Sequence, residues 1–139
     1  MMMKNKNNNM KKLIPILTVF LSFFLFPSTS LGEWKPVSKS IDGKDVFFLD
    51  FDRIRESGDY VYYWSLGNFP ESDGTLSVMI YQKGDCERFT HKIIDVYGFE
   101  GQMGQGEETG HDNSESKWRS PPPNSSLEIM LKSVCERSN

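Results

Sequence analysis

The chain is poor in the residues that perform covalent chemistry. Its 139 residues include two cysteines and two histidines. There is no Cys-x-x-Cys pair, which excludes a thioredoxin-like redox couple. There is no Gly-x-Ser-x-Gly and no phosphate-cradling glycine loop, which excludes the hydrolase nucleophile elbow and the P-loop. His91 lies between Thr90 and Lys92 and reads as a strand surface residue rather than a general base. His111 sits beside Asp112 with Glu107, Glu108 and Glu115 nearby, in a spacing that matches neither zinc nor EF-hand sites. It reads as part of a solvated acidic loop. Asp50 and Asp52 read as strand-end and turn carboxylates. No catalytic residue, cofactor or metal site is expected.

Long apolar runs and an excess of basic charge are also missing. The longest apolar stretch, Leu13 to Phe26, has 14 residues, whereas a membrane-spanning helix needs about 20. It follows Lys4, Lys6, Lys11 and Lys12 and precedes Pro27 and a small-residue stretch, with Ser30 and Gly32 at the −3 and −1 positions of a cleavage site. Residues 1–32 are therefore expected to be a secretory signal peptide, cleaved before Glu33. Glu33 stands where a lipoprotein would carry cysteine, so no lipid anchor is expected, nor any transmembrane segment after cleavage. Residues 33–139 hold all nineteen acids but twelve of the sixteen Lys and Arg, a net charge of −7. That balance disfavours nucleic acid and anionic lipid surfaces as partners.

What remains is one domain's worth of chain, rich in strand formers and punctuated by turn signals. Trp34 to Ser40, with Pro36 near its start, suits an edge strand. Ile41–Lys44 turns the chain into the apolar run Asp45–Asp50, which reads as buried on both faces. Phe51–Glu56 is either a helical turn or a short strand, and Ser57-Gly58-Asp59 is a turn. In Tyr60–Leu66, residues Tyr60, Tyr62, Trp64 and Leu66 share one face and Val61 and Tyr63 the other. Thr75–Tyr81 alternates as a half-buried strand. Lys83-Gly84-Asp85 is expected to turn into a long strand, Cys86–Tyr97, whose apolar parity switches midway, by a bulge or by partial cover of both faces. Gly98–Ser116 has five glycines and five acids and reads as a long mobile loop. Trp118 is expected to return the chain to the core before the stiff Pro121–Pro123 spacer.

The last element carries helix signals at both ends. Ser125-Ser126-Leu127-Glu128 fits a capping box. Leu127, Met130, Leu131, Val134 and Cys135 fall at i, i+3, i+4, i+7 and i+8, one apolar stripe. Lys132 and Arg137 lie near the C-terminal end, where the helix dipole favours them. Cys135 sits on the stripe, and in an exported chain its natural partner is Cys86, so an internal disulfide is expected to pin the helix to the sheet. The fold expected is α+β: a single antiparallel sheet of about five to six strands, a C-terminal helix on one face and a disulfide between them.

Trp34, Asp50, Trp64, Cys86, Trp118 and Cys135, taken in order, resemble the pattern of the bacterial surface-adhesin protein E family across residues 33–139. The resemblance implies a sheet whose concave face carries the disulfide-tied helix. It also implies a non-enzymatic binding or interaction module of the bacterial envelope, periplasmic or at the cell surface. The partner would be a protein or a cell-envelope polymer. No binding residue carries over from the family. The aromatic strand itself offers Tyr60, Tyr62, Tyr63 and Trp64 as a possible binding surface. Two further readings stay open. One is a structural or stress-related periplasmic envelope protein without a ligand, and the other, remoter, is a small periplasmic hydrolase.

Overall fold

The turn signals divide the chain into seven strands and one helix, seen in a computed structural model that describes residues 33–138. The expected signal peptide lies outside the described residues. The strands are β1 (Trp34–Lys39), β2 (Val46–Asp50), β3 (Arg55–Ser57), β4 (Tyr60–Asn68), β5 (Ser77–Asp85), β6 (Thr90–Phe99) and β7 (Glu108–Asp112); the helix α1 is Ser126–Ser138. They form one antiparallel sheet in the order β1-β2-β4-β5-β6-β7, with β3 pairing the start of β4. Phe51–Glu56 turns out to contain both alternatives, a tight helical turn at Phe51–Arg53 and then β3.

The central strands β2 and β4 bury the parity that meets α1. Leu49, Val61 and Tyr63 pack against Met130, Leu131, Val134 and Cys135, with Val37, Phe47, Ile54 and Leu127 around them. The helix stripe is the one its spacing predicts, and Ile129, off the stripe, is 40% exposed. Cys86 and Cys135 are disulfide-bonded with their Cα atoms 5.6 Å apart. At the helix start, the Glu128 amide donates to the Ser125 hydroxyl. The second arm of the capping box differs: the Ser125 amide donates to the Pro122 carbonyl, and the Glu128 carboxylate accepts from the Asn124 amide.

Several expectations need correction. Lys83, Gly84 and Asp85 do not turn; they continue β5. Gly84 is there because α1 comes close, since a Cβ would lie 2.8 Å from Leu131 Cδ1 and 3.1 Å from Val61 Cγ2. The turn follows instead, with the Asp85 carboxylate accepting from the Glu87 and Arg88 amides and Phe89 at φ 51°. Cys86 therefore sits in a turn, not in a strand. The parity switch in β6 is a bulge, as one alternative held: Tyr81 pairs with Asp95 but Gln82 with Ile93, so Ile94 is the extra residue.

Gly98–Ser116 is not an unstructured loop. A helical turn at Gln102–Gly104 is tied down by Asn68, whose carbonyl accepts from the Met103 amide, and by Ser77, whose hydroxyl donates to the Gly101 carbonyl and accepts from the Gly104 amide. Ser77 is consequently fully buried. β7 then pairs with β6, as a sheet edge recruits backbone whether or not the side chains are apolar. His91 is a further correction. It is buried rather than on the surface, its backbone bridges Arg119, and its Nδ1 has no partner.

Candidate functional site

The helix covers one face of the sheet, and the opposite face carries the three tryptophans and every tyrosine but Tyr63. Strand pairing brings them together, because registered partners share a face. Tyr62 is opposite Lys83, Trp64 opposite Tyr81, Met79 opposite Tyr97, and Tyr97 opposite His111. Trp64 and Tyr81 stack with centroids 4.9 Å apart, Trp64 and Tyr97 lie at 6.1 Å, and Tyr97 and His111 stack at 4.2 Å. Tyr62 reaches Tyr81 at 6.1 Å, and Tyr60 stacks on Trp118 at 5.4 Å. The result is an aromatic band running across β4, β5, β6 and β7.

Cations are threaded through the band. Asp50, fully buried at the end of β2, pairs with Arg53, and the Arg53 guanidinium lies 5.5 Å from the Trp34 ring and 5.8 Å from the Trp64 ring. Asp50 also accepts from the Asp52 amide, so one carboxylate caps the turn and aims the guanidinium. At the other end of β4, Lys83 Nζ lies 4.1 Å from the Tyr60 ring and 5.5 Å from Tyr62. Asp95 is shared, with His111 Nε2 at 2.5 Å from one oxygen and the Tyr97 hydroxyl donating to the other at 3.0 Å. That hydrogen bond, then desolvation and the charges of Asp95 and Glu108, hold the Tyr97 phenol above its ordinary pKa.

Of the proposed surface residues, Tyr60, Tyr62 and Trp64 are half-buried on this face. Tyr63 is not on it. It is 1% exposed beneath α1, its hydroxyl donates to Gln82, and burial pushes its pKa well up. Tyr63 has the opposite parity from Tyr62, and that alternation carries its ring into the core instead of onto the surface. Trp118 is likewise not in the core: it is 39% exposed and belongs to the band. Trp34, Arg53, Tyr81, Lys83, Tyr97 and His111 were not anticipated as site residues. Tyr81 and Lys83 share a parity on β5 that could have shown them, whereas the β6 bulge and the β7 pairing hid Tyr97 and His111.

This face offers ring surface, cations and one shared carboxylate. Among the described residues no three His, Cys, Asp or Glu side chains are placed to hold a metal ion. Nor is any described helix long and apolar enough to cross a membrane. Hollows lie on the other side of the molecule. One, of about 230 Å³, is bounded by Phe47, Phe69, Val78, Ile80, Leu127 and Met130. Another lies along Lys39–Asp42 and Asn124–Ser126.

Solved structures of Haemophilus influenzae protein E are similar to this chain. Its crystal form II has a TM-score of 0.59 at 16% identity, covering 79% of this chain and 92% of that one. Another structure of the same protein has a TM-score of 0.57 at 16% identity, covering 79% and 89%. Protein E from a non-typeable strain has a TM-score of 0.55 at 15% identity, covering 79% and 80%. Such identities establish a shared fold. No curated protein sequence matches the chain. The family model described as surface-adhesin protein E matches residues 34–136, from Trp34 at the start of β1 to the helix that carries Cys135. The chain therefore belongs to the surface-adhesin protein E family.

Proposed function

We propose that this protein is an exported, non-enzymatic binding module of the bacterial envelope, and that it binds through the helix-free face of its sheet. The observation that carries this reading is the aromatic band: Tyr60, Tyr62, Trp64, Tyr81, Tyr97 and Trp118 gathered on one side of a small domain and left partly open. A domain of this size uses aromatics to fill its core, and here Tyr63, with Phe47, Phe51 and Phe89 packed against the cluster, serves that purpose. The band lies outside that core. Aromatic and arginine side chains are the groups that anchor protein interfaces, and Arg53 is already held rigid by Asp50. The family supplies the adhesin-like surface character. Export rests on the sequence of residues 1–32.

Crosslinking capture from native envelopes, followed by titration of the recovered partner, tests the reading. Tyr62→Ala and Trp64→Ala should each weaken binding by ~1 kcal/mol or more while the domain stays folded. Binding that ignores both substitutions, or a partner lost on altering the helix side instead, would displace the site from this face.

A further inference from the structure

Lys83 and Lys92 stand directly opposite each other on β5 and β6, on the helix-free face. Like charges facing across a strand pair are destabilising, and residues 33–139 contain more acids than bases with which to relieve the contact. Lys92 is relieved: its ammonium donates to Glu115 at 2.8 Å. Lys83 has no carboxylate within 4 Å among the described residues. It rests on three rings, with Nζ at 4.1 Å from Tyr60, 5.5 Å from Tyr62 and 5.9 Å from Trp118. Trp118 lies between the two lysines, 5.5 Å from Lys92 Nζ, and is the most exposed ring of the band.

We propose that Lys83, Lys92 and Trp118 form a subsite for a saccharide bearing a carboxylate, the sugar lying against Trp118 and the carboxylate taken by the lysine pair. This rests on the binding-module reading above and narrows it to one ligand class. Two lysines share one carboxylate here, because Glu115 bonds Lys92 and also feels the charge of Lys83, and Trp118 stands 39% exposed beside them. A uronate-type sugar answers both. The overall acidity of the domain selects further. A dense polyanion is repelled by the remaining acids, whereas a chain with one carboxylate for every few sugars meets the lysines without that penalty. Glu115 occupies Lys92 in the free protein and is displaced or shared on binding. It acts as an internal competitor.

The test uses purified protein and three probes at low ionic strength: a hyaluronan oligosaccharide, its methyl ester and poly-L-glutamate. Binding is expected to the oligosaccharide alone. Lys83→Gln should weaken it about tenfold, a loss that ordinary charge-pair energies allow, and Trp118→Ala should weaken it comparably. Glu115→Gln should strengthen it, an effect that a purely structural cluster would not produce. Lys44→Gln removes the same charge at the distant Glu71 pair and should change nothing. Thermal melts of each variant separate binding from folding. No binding to hyaluronan, equal binding to its ester, or equal binding to poly-L-glutamate would each overturn the proposal. If envelope capture still depends on Trp64 in those cases, the module reading stands and only the ligand class falls.

Discussion

Tyr62 and Tyr63 are neighbours in sequence and differ in exposure, and that one step along a strand separates a residue of the aromatic face from a core residue. Tyr63→Ala removes a ring that is 1% exposed and strands Gln82, whose amide also bonds Ser65. A loss of about 3–5 kcal/mol in urea denaturation is expected, against a small loss for Tyr62→Ala. Gly84→Ala should cost about 1–3 kcal/mol by overpacking, because the added methyl meets Leu131 and Val61. His91 makes stability depend on pH. Its pKa is held below the ordinary 6.5 first by burial and then by Arg119, so the unfolded chain takes up the proton more readily than the folded one. Its favourable balance is complete above about 6.5 and declines as pH falls through that value. The melting temperature should therefore drop from pH 7 toward pH 5, and His91→Gln should flatten that part of the profile.

The elements show how far periodicity carries. α1 was legible because five apolar residues at helical spacing leave one orientation against the sheet. Leu131→Ala should cost about 2–5 kcal/mol, while Ile129→Ala, at 40% exposure, should cost clearly less. β7 was not legible, because its residues are all exposed and its hydrogen bonds depend on β6 rather than on composition. Amide exchange reads the difference. The amides of Glu108–Asp112 that pair with β6 should exchange more slowly than those of the Asn113–Glu115 segment that follows. Uniformly fast exchange across both would mean that the edge strand does not persist. The Gly98–Ser116 composition suggested freedom, but Asn68 and Ser77 reach across from the sheet to hold its first half.

At the scale of the molecule, one bridge joins the middle of the chain to its end across 49 residues. Closing a loop of that length is worth about 4 kcal/mol in the chain-entropy picture, a large share of the ~5–15 kcal/mol typical of a domain. Reduction should lower the melting temperature sharply, with the helix released first, as followed by circular dichroism. The two faces of the sheet then divide the work. The helix side uses the disulfide and the apolar stripe for stability, and the other side is left to rings and cations. Substitutions on the two faces should separate accordingly, with stability tracking the first and partner binding the second.

The sequence by itself determined the α+β class, the helix and its buried stripe, the edge character of β1 and the Cys86–Cys135 bridge. These follow from local spacing, turn chemistry and a count of two cysteines, none of which needs a distant partner. Only the tertiary structure decided that Trp34, Trp64, Tyr81, Tyr97 and Trp118 share one face, that Lys83 faces Lys92, and that His91 is buried. The reason is register: a single extra residue at Ile94 reverses the faces of β6, and which side chains meet across a sheet is fixed by pairing between strands far apart in the chain.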